Sequence, residues 1–309
     1  MVTEMLAGYF VYIITAIAYY SIFAMALNLE YGVTGLINFG HVAFFGVGAY
    51  TAGLLTRAGV SFPLSLLAAM AIAGILGILI AIPTRKLNVH YWAIVTLGVA
   101  EVIRLILLSE EWIAKGPFGI TIPQAFEGFI TGNYPFDFMI VSVILVAITY
   151  VIMDRLVNST HGSILKTIRE DDDLPKAFGY TTSRYKLSSM GIGSAFAGMA
   201  GVLFAHHMQY LDPSSLLPFL TFLAWIMIIV GGKGNMLGAI VGAVIMTIFY
   251  NSTRFLTRFL PGGYSVVASL RMITIGALFL LVLLFKEEGL IPEQKRKIKL
   301  TQPVESKAK

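Results

Sequence analysis

Cysteine is absent from the 309 residues, and charge is scarce: Asp, Glu, Lys and Arg together make up 13%. The first absence excludes disulfides, thiolate metal sites and cysteine nucleophiles. The second excludes an ordinary soluble domain, in which about 25% of residues are charged. Chemistry-bearing motifs are missing too. No Gly-x-x-x-x-Gly-Lys-[Ser/Thr] run occurs, since Gly231-Gly232-Lys233 lacks both the spacing and the following hydroxyl. Neither His-Glu-x-x-His nor Gly-x-Ser-x-Gly is present, and Gly191-Ile192-Gly193-Ser194 falls in an apolar run without an acid–base partner. A dinucleotide fingerprint needs a soluble strand–turn–helix, and no soluble stretch is there to supply one. The sequence therefore reads as non-enzymatic, with no catalytic, cofactor or metal site.

What is present is apolar: 57% of residues are hydrophobic and the mean hydropathy is +0.80. A bilayer span needs roughly 20 mostly apolar residues, and several such runs fit. The expected fold is an all-α, polytopic transmembrane bundle of about eight or nine spans, forming a single domain over 1–309. Spans are expected near 6–28, 34–56, 63–83, 90–109, 137–153, 187–209, 215–231, 236–256 and 265–285. The opening MVTEMLAG has no basic region and runs straight into an aromatic-rich span, so no cleavable signal is read there.

Charge is concentrated in two places. Segment 154–186 and tail 286–309 carry eleven charged residues each, out of 39. Basic residues near span ends mark the cytoplasmic side. Loop 154–186 has Arg155, Lys166, Arg169, Lys176, Arg184 and Lys186; the tail has Lys286, Lys295, Arg296, Lys297, Lys299, Lys307 and Lys309. Segment 110–136 has Lys115 beside Glu110, Glu111 and Glu127. The loop and C-terminus are thus expected inside an inner or plasma membrane and 110–136 outside, with Arg254 and Arg258 against the rule. Nine full crossings put the N-terminus outside; a turn-back of 34–56 puts it inside. The short basic tail beside a span reads as an anchor to the lipid surface, with no nucleic-acid partner.

Six glycines (Gly32, Gly35, Gly40, Gly46, Gly48, Gly53) crowd 32–53, with Asn38 and His41 among them. Either the helix is broken or re-entrant, buried or lining a watery path, or the glycines serve close packing in a straight span. A second interruption follows at 231–238, after an apolar run containing Pro218; paired interruptions in two halves point to a transport path between repeats. Gly234, Gly238 and Gly242 recur every four residues, as do Ala197, Gly201 and Ala205. Such stripes let helix backbones approach, inside the subunit or at a dimer seam. Glu101 and Arg104 share a helix face and read as an ion pair or as a proton or substrate site. Glu101 is the one well-centred acid on this reading. His206 and His207 read as interfacial, Arg271 as snorkelling, and His41 as buried or pathway-lining.

The charged stretch 160–179 reads as two short helices. Thr160 caps the first; Asp173 caps the second, with Leu174 first, Pro175 in the first turn and Gly179 as a left-handed stop. Leu174 and Phe178, one turn apart, make an exposed apolar knob suited to a partner's groove.

The run HGSILKTIREDDDLPKAFGYTTSRYKLSSMGIGSAFAGMAGVLFA at 161–205 resembles the cytoplasmic coupling loop and following span of branched-chain amino-acid ABC-transporter permeases of the LivM type. So do YGVTGLINFGHVAFFGVGAYTAGLL at 31–55, YWAIVTLGVAEVIRLILL at 91–108, IIVGGKGNMLGAIVGA at 228–243 and LLFKEEGLI at 283–291. Ile168, Arg169, Glu170, Asp171, Ala177, Gly179, Tyr185 and Lys186 match the loop pattern. Ser163 stands where arginine is common, Leu174-Pro175 replaces a small pair, and KGPFGI at 115–120 matches loosely. The resemblance implies an importer subunit that works with a second homologous permease subunit, cytoplasmic ATP-binding subunits and an extracytoplasmic solute-binding protein. It makes Ile168, Arg169, Glu170, Asp171, Asp173, Leu174, Ala177, Phe178 and Gly179 the ATPase-coupling residues, with Asn38, His41, Glu101 and Arg104 as pathway candidates. Branched-chain or other hydrophobic amino acids are the implied solutes; urea and short amides are alternatives. An ion-coupled carrier or channel, and then a membrane enzyme, are the rival classes. A proton-coupled carrier would show intramembrane acids or histidines facing one another.

Overall fold

The computed structural model describes residues 2–84, 87, 89–126, 131–252, 263–285 and 288–293. Glu127, Arg254, Arg258, Lys286 and the tail from 294 onward lie outside the described residues. The architecture is the expected all-α bundle. Helix α1 (Val2–Leu27) runs into a π-helical turn, Asn28–Val33. After an irregular link come α2 (His41–Arg57), α3 (Phe62–Thr84), α4 (Val89–Ser109), α5 (Glu111–Ala114) and α6 (Tyr134–Val157). The charged segment forms α7 (Thr160–Glu170) and α8 (Asp173–Ala177). Then follow α9 (Thr182–Met208), α10 (Phe219–Gly231), α11 (Met236–Ser252) and α12 (Gly263–Phe285). Among the described residues, six helical stretches are long and apolar enough to cross a membrane. Apolar side chains such as Leu67, Ile75, Ile94 and Ile148 stay exposed on the outside of the bundle, where lipid is the natural solvent.

The two ends of the bundle differ. At one, β1 (Ile120–Thr121) pairs antiparallel with β2 (Tyr210–Leu211). Gly119, at φ +62°, lets these two strands approach: a Cβ there would lie 2.3 Å from Leu211 O. Helices α1 and α2 both reach this β1–β2 end, since Tyr12 meets His207 and Thr56 Oγ1 lies 3.1 Å from His206 Nε2. At the opposite, charged end sit α7, α8 and the turn joining α10 to α11.

Close backbone packing organises the interior. A Cβ on Gly48 would lie 2.2 Å from Gly198 O, and one on Gly201 would lie 1.9 Å from Phe45 O, so α2 rests directly on α9. Gly74 and Gly77 seat α3 on α9 beside α2, against Gly191, Ala195 and Ser194. Gly231, Gly238 and Gly242 bring α10 onto α11, Gly242 facing Met227 O. The glycine stripes are therefore spent inside the subunit, and Gly234 is a turn residue at φ +80°.

Expectations for the two histidines of α9 change. His206 is fully buried, bonded to Val202 O at 2.9 Å and to Thr56, because α2 and α6 cover the end of α9 where an interface was expected. His207 packs on the rings of Tyr12 and Tyr19. Arg271 lies 4.2 Å above the Tyr250 ring, a cation–π contact on a neighbouring helix.

Candidate functional site

The chain breaks where the glycines and polar residues crowd, at the turn between α1 and α2. Residues 34–40 leave helical geometry, with Gly35 at φ +79°. Backbone without helical partners must be satisfied from elsewhere in lipid, and it is. Leu36 N donates to Glu30 O at 2.8 Å and Phe39 N to Thr96 Oγ1 at 3.2 Å. Val42 N donates to Thr221 Oγ1 at 2.9 Å, and Trp225 Nε1 to Asn38 O at 3.2 Å. Side chains of α4 and α10 thus do the work that a helix does for itself.

Inside this break lies a cluster with no solvent exposure: Glu30, Asn38 and His41. Asn38 Nδ2 donates to Glu30 Oε2 at 2.7 Å, and its Oδ1 accepts from Gly40 N at 2.9 Å. His41 Nδ1 lies 3.1 Å from Glu30 Oε2, while its Nε2 is 3.3 Å from Phe23 O. Phe23 O can only accept, so that contact is a hydrogen bond when Nε2 carries a proton. The other Glu30 oxygen faces Gly193, where a Cβ would approach it to 2.3 Å.

Glu30 corrects the expectation of one interior acid, because the bundle holds it fully buried in addition to Glu101 on α4. Arg104 Nε donates to Glu101 Oε2 at 2.9 Å and a second guanidinium nitrogen meets Oε1, so the expected pair forms. Yet the Glu101 side chain is 41% exposed, on the flank of α4, and does not meet Asn38 or His41 in this structure. Glu30 falls between the expected spans 6–28 and 34–56, outside both. Its signal was available: no other charged side chain occurs between Glu4 and Arg57.

The charged end is built on the neighbouring face. Helix α7 is capped by Ser159, whose Oγ accepts from Gly162 N at 3.3 Å. Thr160, the expected cap, is the first helical residue because Ser159 holds the extended backbone a cap requires. Ile168 is buried, Glu170 exposed, and Asp171 ends the helix while its Oδ1 accepts from Asp173 N at 2.8 Å. Asp173, the expected cap of α8, is instead its first residue. Gly179 stops the segment at φ +82°. Leu174 is 47% and Phe178 74% exposed, and Ala177 beside them is exposed too.

A lysine pair fixes α8. Asp172 meets Lys176 Nζ at 2.8 Å and Lys186 Nζ at 2.9 Å. Partial burial pushes the Asp172 carboxyl up, but the hydrogen bonds from Lys176 and Lys186 outweigh it and hold it below the usual carboxylate range. Lys176 is raised by its bonds to Asp172 and Asp173.

His161 in α7 lies 3.0 Å from Ser188 Oγ and packs on Tyr185, beside a cavity of about 300 Å³. Burial lowers its pKa from 6.5. The form with His161 buried then binds fewer protons than one with it exposed, so the stability this histidine contributes is fully present above about pH 6.5 and declines as pH falls below it. Hydrogen exchange over 160–170, corrected for intrinsic rate, is expected to be faster at pH 5.5 than at 7.5. His161→Gln is expected to remove the difference.

One arginine joins the charged end to the break. Arg169, half-buried, donates through Nη1 to Gly32 O in the π-turn. On the other side of that turn, Asn28 Oδ1 accepts from Gly234 N at 2.8 Å and Asn28 Nδ2 donates to Asn235 O at 2.9 Å. The two interruptions read from the sequence therefore touch each other. No cluster of metal ligands occurs among the described residues.

At the β1–β2 end, a cavity of about 350 Å³ is lined by Tyr12, Tyr19, Tyr20, Phe204, Tyr250 and Asn251. An apolar bundle of long helices with a buried polar break and a charged element at one end is a multi-pass membrane protein. Residues 9–283 match the family described as branched-chain amino acid transport system / permease component, and the chain belongs to that family. It is 29% identical over 306 residues to the high-affinity branched-chain amino acid transport system permease protein LivM of Salmonella typhimurium, an alignment covering 91% of this chain and 69% of that protein. Identity is 27% over 314 residues to the probable branched-chain amino acid transport permease protein LivM of Methanocaldococcus jannaschii, covering 89% and 91%. It is 23% over 293 residues to LivH of Salmonella typhimurium, covering 88% and 91%. No solved structure matches.

Proposed function

We propose that the chain is the membrane subunit of a binding-protein-dependent ABC importer for branched-chain or similar hydrophobic amino acids, paired with a second permease of the same family. The charged end faces the cytoplasm and the β1–β2 end faces outward, as the basic residues of 154–186 favour. A cytoplasmic ATPase grips α8 through Leu174 and Phe178. A solute-binding protein docks on the outward loops, where Phe118 stands 82% exposed. The aromatic cavity at that end suits an apolar solute.

One observation carries the reading. An element with two large exposed apolar side chains is pinned by Asp172, Lys176 and Lys186, so it presents a formed surface. A mere connector has no use for that. Phe178→Asp and Glu170→Ala are expected to lower uptake and the stimulation of ATP hydrolysis in the reconstituted transporter, while both proteins insert and assemble normally. Wild-type rates in both would remove the ATPase-docking role.

The ion-coupled alternative gains one point, because Glu30 and His41 face each other in the interior. Reconstitution of the chain alone decides it. Solute accumulation on a proton or sodium gradient, without ATP, would establish a carrier; uptake that requires the partners and ATP supports the importer. Urea and short amides are tested as competitors of leucine in the same uptake assay.

A further inference from the structure

Residues 288–293 follow α12 and thread the charged end. Leu290 N donates to Val230 O at 2.9 Å and Ile291 N to Gly231 O at 2.8 Å. Those carbonyls end α10 and have no partner within the helix, so the segment caps it. Gly289, at φ +75°, lies so near Gly232 that a Cβ would come within 2.5 Å of Gly232 Cα. Pro292 O accepts from Asn235 Nδ2 at 3.1 Å.

The last residue of the segment does something the cap does not need. Glu293 Oε1 lies 2.8 Å from Lys166 Nζ and Oε2 lies 2.9 Å from Arg169 Nη1. All three side chains are about four-fifths shielded or nearly so, at 19%, 26% and 23% exposure. Shielding makes such pairs stronger than exposed ones. Arg169 Nη1 is the same nitrogen that donates to Gly32 O. One carboxylate thus gathers α7, the π-turn of α1 and the α10–α11 turn at a single point. The backbone bonds of 290 and 291 hold α10; the Glu293 side chain holds α7.

We propose that residues 288–293 are a transmission strap and that Glu293 is a positioning residue for transport. When a partner displaces α8 and α7, the ion pairs of Glu293 carry the displacement to the α10–α11 turn, and Arg169 carries it to the break that encloses Glu30, Asn38 and His41. This rests on the reading that α7 and α8 receive the ATPase. A surface anchor, the role read for the basic tail, has no use for a shielded carboxylate at this point.

The test uses the complete transporter in proteoliposomes and reads solute moved per ATP hydrolysed. Glu293→Gln is expected to lower that ratio by at least about fivefold, the lower end for coupled sites, with basal ATP hydrolysis kept. Glu293→Asp is expected to restore part of it, which a variant damaging only the fold would not show. An unchanged ratio in Glu293→Gln overturns the strap. If Glu293→Gln does not assemble, Lys166→Gln is read instead: a lowered ratio supports the strap and an unchanged one overturns it. Phe178→Asp run in parallel separates the two ideas. A defect there with a normal ratio in Glu293→Gln removes the strap alone, whereas no defect in either removes the docking reading with it.

Discussion

Gly201→Leu is expected to leave no folded protein, and even Gly201→Ala to lower the melting midpoint of the purified chain. The first added carbon already meets backbone, not a yielding side chain: it would lie 1.9 Å from Phe45 O, 2.8 Å from Phe45 C and 3.0 Å from Ala49 N. Two helices held in register by other close contacts cannot part locally. Gly48 rests on Gly198 within the same α2–α9 seam, and Gly198 in turn faces Ala73 of α3. Overpacking costs about 1–3 kcal/mol in ordinary cores and more when nothing can give. The control is Gly98, in α4, where an added Cβ meets nothing within 4 Å. Gly98→Ala is expected to hold or raise the midpoint, since alanine favours a helix over glycine by about 0.8–1 kcal/mol. Equal midpoints for Gly201→Ala and wild type would mean that α2 and α9 do not meet as described.

Glu30→Ala is expected to destabilise the bundle by about 1–3 kcal/mol, the range for leaving a buried polar group without its hydrogen-bond partner. The loss is large because the partners stay behind. The Asn38 amide keeps a hydrogen that pointed at Glu30 Oε2, and His41 keeps a ring nitrogen that faced it, both without solvent exposure. Glu30→Gln retains an oxygen for Asn38 and is expected to fall between alanine and wild type. Combining Glu30→Ala with Asn38→Ala is expected to cost less than the two changes separately, by at least about 0.5 kcal/mol, because each alone breaks the same bond. Additive losses in denaturation midpoints would show that the cluster is not one unit.

Much of the fold was legible because a bilayer imposes a simple rule on composition. Apolar runs gave nearly every long helix, and the acidic, proline-containing stretch with its glycine gave α7 and α8. Cap positions were off by a residue: Ser159 and Asp172 hold the places expected of Thr160 and Asp173. Burial was harder to read. His206 looked interfacial by its place near a helix end, yet α2 and α6 cover it; which helix covers which end is a tertiary fact that local pattern does not contain. Glu101 looked central by sequence depth and proved to flank an outward face. Glu30 went the other way, from between two expected spans to core, since the turn that holds it is wrapped by α4, α9 and α10. Glu293 was submerged in a charged tail, and nothing local distinguishes it from the lysines around it.

Helices α2, α3 and α9 touch through Gly48, Gly74, Gly77, Gly198 and Gly201, against backbone or small side chains such as Ala73, Ser194 and Ala195. Rotamer changes are the usual lubricant of sliding helices, and these seams have few rotamers to change. The trio is therefore a keel. Alternation between outward and inward access would fall to the elements around it, α4 beside α2 and the α10–α11 pair packed on α1.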